Sequence, residues 1–85
     1  MKAENLTINS TLHNGAIIAL NVPRGRNYLL TVTDVYHSSM GMRLTCRGRR
    51  GAHWRVCVTP VEVLAHTFTN RGARRVTVGS CYLMH

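Results

Sequence analysis

Two short stretches of this chain alternate strictly between apolar and polar side chains. Met42, Leu44 and Cys46 are interleaved with Arg43, Thr45 and Arg47, and Trp54, Val56 and Val58 with Arg55, Cys57 and Thr59. A period of two sends alternate side chains to opposite faces of an extended strand. Both segments are therefore committed to a sheet with one apolar and one polar face. Other segments carry strand character of the same kind. Residues 28–36 are rich in β-branched and aromatic side chains, and residues 16–22 form a more continuously apolar run. Val76 and Val78 alternate with Arg75 and Thr77, and the pattern resumes with Cys81 and Leu83 after Gly79-Ser80. That glycine predicts a bulge or tight bend inside one last strand. Asn14-Gly15 predicts a type I′ hairpin turn between residues 6–12 and 16–22, with a short helix over residues 4–12 as the alternative to the first strand. Turn-forming clusters also occur at 23–27, 38–41 and 48–51.

One segment departs from the pattern. In Thr59-Pro60-Val61-Glu62 a hydroxyl stands at an N-cap position, a proline at the first helical position and a carboxylate three residues after the cap. This capping box predicts a short helix with Val61, Leu64 and Ala65 or Phe68 on one face, ended by Gly72. The expected order is four or five strands, a helix and a last strand. Residues 1–85 are enough for a single small domain. A small barrel removes the exposed strand edges and needs only one core. The reading is thus a mostly β fold, a five- to six-stranded barrel with one short helix before the last strand. In its order of elements it resembles an SH3-like barrel. An OB-like barrel, whose helix usually lies one connection earlier, is the competitor.

Charge limits the function. Ten arginines and Lys2 stand against Glu4, Asp34 and Glu62, a formal net charge of +8 with the histidines neutral. Such a surface attracts polyanions over a Debye length of about 8–10 Å. Guanidinium grips phosphate bidentately and stacks on bases, which a lysine ammonium does not. Three carboxylates leave little for paired acid–base chemistry, and no signature of a Cys–His nucleophile surrounds Cys46, Cys57 or Cys81. Neither C-x-x-C nor H-x-x-x-H spacing occurs. The expectation is a noncatalytic protein with no metal and no cofactor. The longest apolar run, residues 16–20, is far short of the roughly 20 residues of a membrane helix. An odd number of cysteines and a start without an apolar signal core predict reduced thiols and a cytoplasmic protein. Asp34 is expected to pair with an arginine.

The alternation places Arg43, Arg47, Arg55 and Arg75 outward, and Arg24, Arg26, Arg49 and Arg50 in turns. If residues 42–48 and 53–59 form a hairpin, Arg43, Arg47 and Arg55 share a face beside the Arg47-Gly48-Arg49-Arg50-Gly51 tip. Trp54 shares its face with Val56 and Val58 and belongs to the core. Tyr36 lies near a strand end, and His53 beside the basic tip. The predicted nucleic-acid site is accordingly Arg43, Arg47, Arg49, Arg50, Arg55, His53 and Tyr36, contacting DNA or RNA mainly at phosphates. The alternative is a protein–protein module, an accessory subunit or inhibitor, that docks on an acidic protein surface. In that reading the sheet edge at 73–84 is open to strand addition or to pairing into a homodimer.

Overall fold

A computed structural model describes residues 3–84 of the chain. Met1 and Lys2, read above with the start of the chain, lie outside the described residues. The fold is one antiparallel sheet of eight strands: β1 (Ala3–Asn5), β2 (Ile17–Asn21), β3 (Tyr28–Ser38), β4 (Gly41–Arg47), β5 (His53–Val58), β6 (Val63–Thr69), β7 (Gly72–Val76) and β8 (Ser80–Met84). Their order across the sheet is β1-β8-β2-β3-β4-β5-β6-β7. The sheet is open, with β1 and β7 as edges, so the expected closed barrel of five to six strands is corrected to eight strands without closure.

The open sheet is nonetheless strongly curled. Val76 and Ser80 are four residues apart and at most about 14 Å from each other. Laid flat, the six strand spacings between β7 and β8 would separate them by about 29 Å. Curling turns one face of the sheet inward as the core. Ile18, Leu20, Leu30, Val32, Leu44, Cys46, Val56 and Val58 are all but sealed from solvent, joined by Trp54, Ala65, Cys81 and Leu83. Fully burying each large aliphatic side chain contributes about 1.5–3 kcal/mol. No polar or charged side chain among the described residues is buried. The segment between β1 and β2 adds Leu6 and Ala16 to this core, with Ile8 and Leu12 packed against it.

Three local expectations are corrected. The Thr59 box makes its side-chain bonds but starts no helix. Thr59 Oγ1 accepts from the backbone N–H of Val61 and Glu62 at 3.3 and 3.0 Å, while its own N–H donates to the Glu62 carbonyl at 2.9 Å. These bonds close a tight connection from β5 to β6, and residues 63–69 pair as a strand on both sides, with β5 and β7. Second, residues 6–12 form neither a strand paired with β2 nor a helix. Asn14-Gly15 does turn the chain, with Gly15 at φ +94° and Ala16 N–H donating to the His13 carbonyl, but β1 pairs with β8 instead. Third, Gly79 does not bend a single last strand. It lies between β7 and β8, which occupy distant places in the sheet. The bulge occurs in β3, at the register shift between Val32 and Asp34, where Thr33 Oγ1 donates to the Thr45 carbonyl.

Candidate nucleic-acid interface

The outward face of β3 to β7 can be read row by row from the strand register. Tyr36 lies opposite Arg43, and Arg43 opposite Cys57. The next row runs Asp34, Thr45, Arg55, His66 and Arg75. The third runs Thr31, Arg47, His53, Phe68 and Ala73. Pairing of β4 with β5 as a hairpin thus places Arg43, Arg47, Arg55, His53 and Tyr36 on one convex surface. Asp34 is its single acid, and it faces Thr45, not an arginine. Arg43 and Arg47 are each diagonal to Arg55, about 7–8 Å between neighbouring side chains. At such a distance in water two unit charges repel by roughly 0.6 kcal/mol. The fold tolerates that repulsion, and an anion laid across the face removes it.

Two of these arginines rest on rings. The Arg43 guanidinium lies 5.0 Å from the centroid of Tyr36, and Arg55 lies 5.3 Å from that of Phe68. His53 meets the same Phe68 ring edge-on at 5.1 Å. Tyr36 is 56% exposed. Each ring holds a guanidinium close to the sheet surface, which reduces the side-chain freedom lost when the arginine binds something else. Phe68, His66 and Arg75 enlarge the predicted site. The capping-box reading puts Ala65 or Phe68 on one face, with Val61 and Leu64, of a helix that does not form. The alternation of Leu64, His66 and Phe68 with Val63, Ala65 and Thr67 was the available signal. It did not say which set turns inward.

Arg49 and Arg50 stand apart from this face, at the tip of the β4–β5 hairpin. Ala52 N–H donates to the Arg49 carbonyl at 3.2 Å, and both central residues of the turn, Arg50 (φ 60°) and Gly51 (φ 74°), are left-handed. The β2–β3 turn repeats the feature. Gly25 N–H donates to the Val22 carbonyl, Pro23 occupies the second position and Arg24 the third, at φ 61°. Glycine or asparagine is the ordinary occupant of both positions. An arginine there costs on the order of 1–2 kcal/mol. Alternate hairpins of an antiparallel sheet point the same way, so the β2–β3, β4–β5 and β6–β7 turns share one rim. Arg24, Arg26, Arg49, Arg50 and Arg71 are therefore strung along that rim, the same end of the sheet as Arg47.

The core side of the rim is rigid. Trp54 is 4% exposed and its ring packs against Tyr28 with centroids 4.8 Å apart. Gly48 covers the indole so closely that a Cβ there would sit 2.7 Å from Trp54 Nε1. The cysteines divide as the alternation requires: Cys46 and Cys81 are buried, and Cys57 is half-buried on the outward face. Burial pushes the Cys46 and Cys81 thiols up to about 12. Among the described residues no three His, Cys, Asp or Glu side chains gather as a metal site, and no helix is long and apolar enough to cross a membrane.

The outward face of β1, β8, β2 and the start of β3 has a different character. Leu29 (67% exposed), Ile17, Tyr82 and Met84 lie there, beside rather than among the arginines. No known protein family, curated protein or solved structure matches this chain.

Proposed function

We propose that this protein is a noncatalytic binder of nucleic acid, and that its ligand is a single strand laid across the outward face of β3 to β7. The observation that carries the reading is the gathering of Arg43, Arg47, Arg55 and Arg75 with Tyr36, Phe68, His53 and His66 on one surface with a single carboxylate. Arginines would contact phosphates, while rings and guanidinium planes would accept unpaired bases. Convexity favours a single strand, because a flexible chain follows a curved surface whereas a rigid duplex touches it over few phosphates. Affinity would be largely electrostatic and tolerant of sequence.

The test is fluorescence anisotropy with labelled single- and double-stranded DNA and RNA, titrated with salt. Four phosphate contacts on a single strand give a slope of about −2.8, a loss of roughly fifty-fold between 50 and 200 mM salt. Arg43→Gln with Arg55→Gln is expected to weaken binding and reduce the slope by about 1.4. An affinity indifferent to both salt and these substitutions would reject the reading.

A second reading draws on the other half of the outward face. Leu29, Ile17, Tyr82 and Met84 form an apolar area bordered by Arg47, the composition of a surface that docks a protein. In this reading the arginines guide an acidic partner. Failure of every nucleic acid to bind at 50 mM salt, with retention of an acidic partner that Leu29→Ser releases, would favour it.

A further inference from the structure

At the rim, the two arginine-bearing hairpins enclose a depression of about 500 Å³ between the start of β3 and the end of β4. Arg26 comes to it from the β2–β3 turn, Arg47 from the last position of β4 and Arg49 from the β4–β5 turn, with Asn27, Tyr28, Leu29, Thr31 and Gly48 completing the wall. No carboxylate lines it. All three arginines are exposed, so their guanidiniums can turn toward a ligand in the depression. Beneath them the wall is fixed, because Tyr28 leans on Trp54 and Gly48 is pressed against the indole. The two turns that bring Arg26 and Arg49 here also carry Arg24 and Arg50 in left-handed conformations that glycine or asparagine would adopt more easily. Both loops thus keep arginine at positions where the backbone disfavours it, and both stand beside the same depression. Strain of this kind concentrates at binding sites.

We propose that this depression is a phosphomonoester site, taking the terminal phosphate of a nucleotide with its sugar or base against Leu29 and Tyr28. A monoester carries a charge of about −1.5 to −2 at neutral pH and three strong acceptor oxygens, against a single charge on a backbone diester. Three guanidiniums match the monoester, each able to donate two parallel hydrogen bonds. A volume of this size suits a small ligand. The phosphate can belong to a free mononucleotide or to the end of a strand. The second case rests on the proposed use of the outward face, which the Thr31–Arg47 row joins to the depression.

Full-length protein is titrated with uridine 5′-monophosphate and, separately, with uridine, following the emission of Trp54. The monophosphate is expected to change the emission saturably, uridine to leave it unchanged, and inorganic phosphate to compete. Arg26→Gln with Arg49→Gln should weaken the monophosphate at least about tenfold, whereas Arg43→Gln with Arg55→Gln should leave it within about twofold. A 5′-phosphorylated hexanucleotide binding about tenfold more tightly than its 5′-hydroxyl counterpart, with that advantage lost in the Arg26/Arg49 variant, would identify the strand end as ligand. Monophosphate binding without that advantage would identify the free nucleotide. Equal responses to monophosphate and uridine, or a monophosphate affinity unchanged by the Arg26/Arg49 substitutions, would overturn the proposal. Failure of the hydroxyl oligonucleotide alone to bind would count against the outward face and leave the depression standing.

Discussion

The guanidinium of Arg55 on β5 lies 5.3 Å from the ring centroid of Phe68, its diagonal neighbour on β6, two residues along from its cross-strand partner His66. A charge and an apolar ring, each poorly placed alone on a solvated face, are made compatible by one another. The interaction contributes about 0.5–1 kcal/mol at an exposed site. Phe68→Leu keeps an apolar side chain but removes the π face. Its expected cost is a stability loss of that size in urea unfolding. It should also weaken single-strand binding measurably, because both the ring and the restraint on Arg55 are lost.

Arg24 and Arg50 should oppose stability to binding. Arg24→Gly and Arg50→Asn place residues that tolerate positive φ where the chain already adopts φ 61° and φ 60°. Each substitution is expected to raise unfolding free energy by up to about 1 kcal/mol, since glycine also adds freedom to the unfolded chain. Both should lower affinity for nucleic acid. Isothermal chemical denaturation alongside anisotropy checks the two signs together. Two neutral substitutions would remove the argument from strain.

Cys46 and Cys81 make the fold sensitive to alkali. Desolvation raises each thiol from 9.0 to about 12, and the neighbouring Cys46 adds a smaller upward push on Cys81. Between these values the unfolded chain has released protons that the folded chain retains. Stability from these thiols is thus full below pH 9 and falls as pH rises toward 12. Urea midpoints taken from pH 8 to 11 should decline, with a shallower decline in Cys46→Ala. In native protein at pH 8, a thiol reagent should modify Cys57 and reach the other two only on unfolding.

Gly41 and Gly48 should both resist substitution, for different reasons. Gly41 has φ +143°, and a Cβ there would overlap the Val58 carbonyl oxygen across the β4–β5 ladder. Gly41→Ala is expected to cost more than about 3 kcal/mol, combining backbone strain with a collision against backbone. Gly48 has an ordinary φ of −100°, so Gly48→Ala must act through side-chain crowding, chiefly against the Trp54 indole at 2.7 Å and also against Leu30 at 3.2 Å. The expected cost is about 1–3 kcal/mol, with altered Trp54 emission. Thermal unfolding of both variants would rank them.

The β4–β5 hairpin was legible because alternation fixes which residues face inward and the Gly48–Gly51 turn fixes the register. Arg43, Arg47 and Arg55 followed directly from it. The Thr59 box misled because its bonds are local: Thr59 Oγ1 accepts the same N–H groups whether a helix or a strand comes next. Val63, Thr67 and Thr69 favour extension, and neighbours on both sides supply ladder partners that no local motif reports. The β3 bulge at Thr33 and the pairing of β1 with β8 are tertiary outcomes of the same kind. The rim depression was visible only as loose arginines, since its convergence depends on which hairpins point the same way.

The last strand of the chain lies between the first two. β8 pairs with β1 on one side and β2 on the other, and it brings Cys81 and Leu83 inward. Order of synthesis and order in space are therefore at odds. A nascent chain can form the consecutive ladders from β2 through β7 as they emerge, but β1 has no partner until Ser80–Met84 is free to insert. Insertion of β8 is a single event that ties β1 and β2 into the sheet at once, and until it occurs β2 presents a bare edge.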